Sequence, residues 1–339
     1  MVDSLQNYFF FWMLGAIRAL QTVASPLASD GWLEWNARMW DVKPERVTYQ
    51  PDGPNGPRLE GVLYLNRKRG QVCLPPRNPY LPFAFVSSGK DRPDQLYRQR
   101  MAAADCLAAD LINRGIDGTI ALAPGFMDGR VYKWNDLEVG VRYTFVTPLP
   151  VDEAVISSSV KKKIRKAREA GYTVKRSEDW ASIDVCLRET EQAKSFSHRT
   201  GPDALALCRE LLGDDAFRAY AGISPEGEVV GTHVRLLAPS GTAIGWSQGT
   251  FRSHLPSGIN QLLYAEGNDD LVAASARWLD LAGANIRSVA EAKAAWGFPL
   301  VPYLTICQPD FRQLLKSIIS LARKRLARLR HRQPPLTVK

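Results

Sequence analysis

Trp278-Leu279-Asp280-Leu281-Ala282-Gly283-Ala284-Asn285-Ile286-Arg287-Ser288-Val289-Ala290-Glu291-Ala292-Lys293-Ala294-Ala295-Trp296-Gly297-Phe298, running on to Pro302-Tyr303, stands out in this chain. It reads as a strand ending in Asp280 and Gly283, a short helix carrying Lys293, and a closing strand from Tyr303 to Cys307. Working back from it, Ile259 to about Trp278 has helical periodicity, while Phe217 to Ile223, Val229 to Leu237 and Thr242 to Ser247 alternate as strands. The turn signals Pro225-Glu226-Gly227 and Pro239-Ser240-Gly241 separate those strands into an antiparallel meander. Further back, Pro202 to Leu212 is a helix, and so is Ser157 to Ala170, which has a serine cap and a stop at Gly171.

The amino-terminal half repeats this order. Trp32 to Trp40 reads as a helix, Leu59 to Leu65 and Gln71 to Leu74 as two strands about Arg69-Gly70, and Asp94 to Asn113 as a long helix ended by Gly115. Thr119 to Ala123 and Val141 to Val146 read as strands. In each half a lysine stands ten residues before a tyrosine on an apolar strand, Lys133 with Tyr143 and Lys293 with Tyr303. Val141-Arg142-Tyr143-Thr144-Phe145 mirrors Val301-Pro302-Tyr303-Leu304-Thr305, the pattern expected of a duplication. The division expected is an apolar segment over 1–30, a first domain over 31–150, a second over 151–309 and a basic tail over 310–339. A chain of 339 residues is long enough for two such cores.

Apolar residues at 45% and charged residues at 23% are ordinary globular usage and exclude extensive disorder. Five scattered cysteines without a CxxC pair suit a reducing compartment, so the expected home is the cytoplasm. The net charge of +9 is concentrated in two places, Val160 to Arg176 and Asp310 to Lys339, which points to an anionic partner. Within Phe311 to Arg332, Leu314, Leu315, Ile318, Ile319, Leu321, Leu326 and Leu329 alternate with Lys and Arg. That is the pattern of an amphipathic helix lying on anionic lipid at the inner face of the cell membrane, or of one packing on the first domain. The apolar run Tyr8 to Ile17 is shorter than the roughly 20 residues a spanning helix needs, leaving an interfacial contact or a packed helix.

Gly245-Trp246-Ser247-Gln248-Gly249 fits the GxSxG elbow of serine hydrolases, but a loop from Thr250 to Gly258 intervenes before the next helix. The only downstream histidines, His254 in that loop and His331 in the tail, do not supply the elbow's usual context. No GxGxxG, GxxxxGK[ST] or HExxH occurs, which sets aside dinucleotide, P-loop and zinc-protease readings. The four histidines lie far apart, so metal-free chemistry is expected.

The Asp280–Gly283 strand and Lys293 helix resemble those of GNAT-superfamily acyltransferases of the Fem type and their relatives in polysaccharide and cell-wall pathways. Lys161-Lys162-Lys163-Ile164-Arg165-Lys166-Ala167-Arg168-Glu169-Ala170-Gly171 resembles the segment opening their second domain. Phe126-Met127-Asp128 through Trp134 to Tyr143-Thr144 resembles the close of their first. The resemblance runs from about Trp32 to Cys307 and implies an α/β (α+β) chain of tandem GNAT-like domains, each a mixed, mostly antiparallel sheet flanked by helices.

By that resemblance Lys293 stabilises the oxyanion of an acyl transfer; on its residues alone it is equally a solvated helix lysine. Asp280 is a general base or orienter, or else a cap for the next segment; Tyr303 is a proton relay or a core aromatic like Tyr143. Trp246, Ser247, Gln248, Arg252 and His254 fall on the strand and loop that should border the splayed central strands where acceptor and donor meet. Gly258, Ile259 and Asn260 close the segment where a pyrophosphate loop is expected. Ile259 stands where a second glycine is usual. Lys162 and Arg165 belong to a helix with the charge density of a phosphate site, or to a solvated face. The expected activity is N-acyl transfer from acyl-coenzyme A to an amine on a sugar or cell-envelope precursor, without a metal. Two alternatives stand beside it: a tRNA-dependent aminoacyl transferase of the Fem type, and a non-catalytic envelope-assembly protein on the same fold.

Overall fold

The computed structural model describes residues 25–53, 56–87, 92–126, 128–193 and 200–309. The apolar run Tyr8 to Ile17 and the basic segment Phe311 to Arg332 lie outside the described residues. No described helix is long and apolar enough to cross a membrane.

Helix α1 (Asp30–Met39) begins where the Ser29 side chain accepts from the Trp32 amide, and it buries Trp32, Leu33, Trp35 and Asn36. Strands β1 (Val42–Tyr49), β2 (Arg58–Asn66), β3 (Val72–Cys73) and β4 (Phe83–Val86) make a small antiparallel sheet in which β2 pairs with the other three. Helix α2 (Pro93–Arg114) follows, ending at Gly115 with φ 75°.

The second sheet has eight strands. Along the chain these are β5 (Ile120–Ala121), β6 (Glu138–Pro148), β7 (Thr173–Arg176), β8 (Phe217–Ile223), β9 (Val229–Leu237), β10 (Thr242–Thr250), β11 (Trp278–Asp280) and β12 (Leu300–Cys307). Their order across the sheet is β5-β12-β6-β11-β10-β9-β8-β7. Every neighbouring pair is antiparallel except β10 and β11, which run parallel over Thr242 to Ile244 against Trp278 to Asp280. The sheet is therefore mixed and mostly antiparallel, as the resemblance implies. Five further helices flank or link its strands: α3 (Arg130–Trp134), α4 (Ser158–Glu169), α5 (Trp180–Ala193), α6 (Pro202–Leu212) and α7 (Ile259–Ala273). Helix α8 (Arg287–Ala294) carries Lys293 between β11 and β12.

Residue 150 falls in the loop after β6, yet β6 sits between β11 and β12, so this sheet is continuous across that point. Tyr143 and Tyr303, the matched tyrosines of the repeat, end on adjacent strands, where Tyr143 pairs with Pro302 and Tyr303 with Arg142. Their environments differ: Tyr143 is 43% exposed and Tyr303 5%, while Lys133 is exposed and Lys293 buried. Trp35 also ties the halves together, its indole N–H donating to the Ala204 carbonyl at 2.9 Å.

Helix α7 stops at Ala273, short of the expected Trp278. Ser275 turns into the left-handed region with φ 64°, and the Arg277 and Trp278 amides then bond to the Gly241 carbonyl, which draws Trp278 into β11. Strands β1, β4 and β7 and helix α5 carry no clear signal in the sequence. In β1, Pro44 and the alternating charges of Lys43, Glu45 and Arg46 mask a strand at a sheet edge, where proline is tolerated.

Candidate active site

Asp280 ends β11 at 0% exposure. An isolated buried carboxylate is costly, and this one is held by a complete set of donors. The Thr144 hydroxyl of β6 donates to its Oδ1 at 2.6 Å, the Ala282 amide donates to the same oxygen at 2.8 Å, and the Tyr80 hydroxyl donates to Oδ2. Burial nonetheless raises the Asp280 pKa; the bonds from Thr144, Tyr80 and Ala282 and the nearby charge of Lys293 oppose the rise. The Thr144 oxygen also accepts from the Gly283 amide at 2.9 Å, which ties this residue to the turn after Asp280.

Lys293 is 7% exposed and is not a solvated helix lysine. Its Nζ donates to the Leu281 carbonyl at 2.6 Å and to the Gly283 carbonyl at 2.8 Å, clamping the turn that follows Asp280. Tyr303 lies on the same junction. Its hydroxyl accepts from Asn285 Nδ2 at 3.2 Å, its ring stands edge-on to Tyr80 at 6.0 Å, and burial raises its pKa. Asn285 in turn accepts from the Tyr143 amide at 2.9 Å, so the turn is stitched to β6. The fold thus brings Asp280, Lys293 and Tyr303 together.

The strand and loop residues divide into separate environments. Trp246 packs edge-on against Trp32 and Trp35 at 5.5 Å and donates its indole N–H to the Arg77 carbonyl at 2.9 Å. Ser247 lies 3.5 Å from an Arg77 nitrogen, and Arg77 pairs with the buried carboxylate of Glu191. No helix starts at Ser247; the strand runs on to Thr250, which removes the elbow geometry. Gln248 accepts from the Tyr264 hydroxyl at 2.5 Å, on the side of α7. Arg252 is exposed, and His254 Nδ1 lies 2.9 Å from the Tyr172 hydroxyl.

Gly258 and Ile259 are buried. Gly258 has φ +94°, and a Cβ there would stand 2.2 Å from the Lys163 carbonyl oxygen on α4, so only glycine lets the two backbones approach. Asn260 is half-buried, and its Oδ1 lies 3.0 Å from His233 Nε2. Lys162 and Arg165 stand exposed on α4, with Arg165 3.6 Å from Glu169, while Lys166 donates to the Pro256 carbonyl at 2.8 Å. Helix α4 is therefore packed over the loop expected to cradle pyrophosphate, with its cations around it. Among the described residues no group of three or more His, Cys, Asp or Glu is placed to hold a metal ion.

The sequence did not point to Tyr80 or His233. Thr144 lies within a quoted apolar strand, and a polar residue between Tyr143 and Phe145 was the available signal for it. His233 is 2% exposed, packs its ring against Tyr264 at 4.4 Å, and has its pKa lowered to about 3, chiefly by burial and next by the Arg235 charge. The unfolded chain takes up this proton as pH falls below about 6.5, while the native state resists until about 3. Stability from this group is complete above that range and declines through it, by about 2 kcal/mol at pH 5. Urea unfolding at pH 7.5 and pH 5 is expected to show that loss, and His233→Gln should flatten it.

The mixed sheet with its parallel β10/β11 pair gives the chain a GNAT-like fold similar to that of Fem-type structures. FemX is among the solved structures it resembles, with a TM-score of 0.58 at 12% identity, over 86% of this chain and 95% of FemX. The C-terminal DUF2156 domain of a putative lysylphosphatidylglycerol synthetase from Agrobacterium fabrum matches at TM-score 0.51 and 9% identity, over 92% of this chain and 95% of that one. A tandem GNAT protein from the clavulanic acid biosynthesis pathway matches at TM-score 0.40 and 14% identity, over 91% of this chain and 96% of that one. No family model and no curated protein matches the sequence.

Proposed function

We propose that this chain is an N-acyltransferase, moving an acyl group from a coenzyme A thioester to an amine on a sugar or cell-envelope precursor. The observation that carries the reading is Asp280, a buried carboxylate of raised pKa at the end of β11, where its parallel pairing with β10 stops. The amine nitrogen attacks the acyl carbonyl carbon, its proton passes toward Asp280, and the carbon–sulfur bond breaks to release the thiolate. Lys293 draws the Leu281 and Gly283 carbonyls inward and so sets the turn beside the carboxylate. In this reading Lys293 acts through that turn, with its charge adding positive potential at the site.

A second reading, transfer from aminoacyl-tRNA, is favoured by one feature. Gly258 and Ile259 are buried against α4 and the core, which leaves the pyrophosphate loop closed while Lys161, Lys162 and Lys163 stand exposed. A thermal-shift titration with acetyl-coenzyme A, longer acyl-coenzyme A species and aminoacyl-tRNA separates the two, because a donor that binds only the native state raises the melting temperature. Stabilisation by the thioesters is the expected result. Stabilisation by charged tRNA alone moves the donor to the second reading, and stabilisation by neither supports a non-catalytic envelope-assembly protein. Attachment to an anionic membrane surface through the basic tail is part of the same proposal. A full-length chain that fails to sediment with anionic vesicles at low salt would remove that part.

A further inference from the structure

Asp280 has no exposed surface, so a proton from a substrate reaches it only through one of its donors. Ala282 contributes a backbone amide, and of the two hydroxyl donors Tyr80 lines a cavity whereas Thr144 does not, which makes the Tyr80 hydroxyl the route. Tyr80 comes from the loop before β4 and is itself 3% exposed. It lines a cavity of about 640 Å³ between the small sheet and β9–β10. Ile244, the residue of β10 in register with Asp280, lines the same cavity. Val62, Phe83, Leu212 and Leu237 are among the residues that make most of its exposed wall apolar, while the charged residues on it are held in ion pairs, Asp30 with Arg46 and Glu60 with Arg58. The volume lies within the range of sites that enclose small organic ligands.

We infer that this cavity is the acceptor site, that it takes an amine borne on an apolar body, and that Tyr80 carries the proton from that amine to Asp280. The inference rests on the acyl-transfer reading and narrows its acceptor class, since the charged groups on the wall are already paired and most of the remaining surface is apolar. An ammonium group entering apolar surroundings loses hydration, which lowers its pKa and favours the neutral, nucleophilic form. As nitrogen bonds to the acyl carbon, the Tyr80 oxygen takes the nitrogen's proton and gives its own to Asp280 Oδ2. Tyr80 ends neutral and the carboxyl protonated, while the thiolate leaves.

The test is calorimetric titration of the full chain with n-butylamine, n-pentylamine and n-hexylamine, with glucosamine as comparison. Each added methylene is expected to tighten binding about fourfold, the equivalent of about 0.8 kcal/mol. Ala84→Trp and Ala216→Phe fill the cavity from two walls, and each should weaken hexylamine binding at least tenfold; two positions guard against one variant failing to fold. Tyr80→Phe keeps the ring, so it should bind hexylamine within twofold of the parent while its acylation rate falls about 100-fold. Affinity that does not change with chain length, glucosamine binding as tightly as hexylamine, or binding indifferent to both filling variants would overturn the cavity assignment. Acylation of an amine that persists in both filling variants would also overturn it, with the transferase reading intact. Length-dependent alkylamine binding without binding of any acyl donor would keep the cavity and sink the transferase reading.

Discussion

Asp280→Asn should lower the acyl-transfer rate by about 100-fold or more, the usual contribution of a positioned general base, without lowering the melting temperature at neutral pH. The two halves of that result come from one fact. The pKa of Asp280 is raised in the folded protein, mainly by burial. A carboxyl with a raised folded pKa gives its full stability below its unfolded pKa, and that stability is lost as pH rises through the folded value. At neutral pH the charged form therefore carries a cost that asparagine does not have. The asparagine oxygen keeps the bonds from Thr144 and Ala282, and its amide nitrogen faces the Tyr80 oxygen as a donor. A steady-state assay paired with a melting curve at pH 7.5 decides the matter. A rate within tenfold of the parent removes Asp280 from the chemistry. A drop of several degrees would show that its main task is to join β6, β11 and the Tyr80 loop.

Lys293→Met is expected to cost about 3 kcal/mol of stability in urea unfolding, the largest stability effect of a single side chain at the site. Methionine has similar length and no charge, so packing is largely kept and what is lost is the pair of bonds to the Leu281 and Gly283 carbonyls. The Leu281 carbonyl is then left buried without this donor, which is costlier than never having had the bond, while the half-buried Gly283 carbonyl loses its partner as well. The charge also acts on Asp280, whose pKa it draws down. The acidic limb of the pH–rate profile, where the carboxylate takes up its proton, should therefore move to higher pH in the variant if the carboxylate is the base. An unfolding free energy within 1 kcal/mol of the parent would show that the clamp does not hold the turn. An unmoved pH profile in a folded variant would separate Lys293 from the charge state of Asp280.

Much of the sheet was readable because its signals are local. The meander β8–β9–β10 announces itself through alternation and the glycine turns at Gly227 and Gly241, both of which have positive φ. The helices α2, α4 and α6 are bounded by caps and glycines within a residue or two of where the sequence places them. The ten-residue spacing from lysine to tyrosine also picked out two strands that prove to be neighbours. It did not separate a buried lysine from an exposed one, because burial of Lys293 depends on carbonyls presented by a turn ten to twelve residues away in sequence. Lys133 has the same spacing and stays at the surface. Gly258 reads as part of a phosphate loop from its neighbours in sequence, and its left-handed backbone and close contact with α4 appear only in the fold.

Most strands and helices, with β1, β4, β7 and α5 as exceptions, and the resemblance to the Fem type were legible in the sequence, which also singled out Asp280 and Lys293 as candidates, because periodicity, caps and turn residues act over a few positions. Only the tertiary structure decided that Tyr80, 200 residues away, completes the shell of Asp280, that β6 enters the sheet between β11 and β12, and that a mainly apolar cavity adjoins this junction. Such contacts follow from long-range strand pairing and the burial it imposes, and no local pattern encodes which distant side chain will meet a carboxylate withdrawn from water.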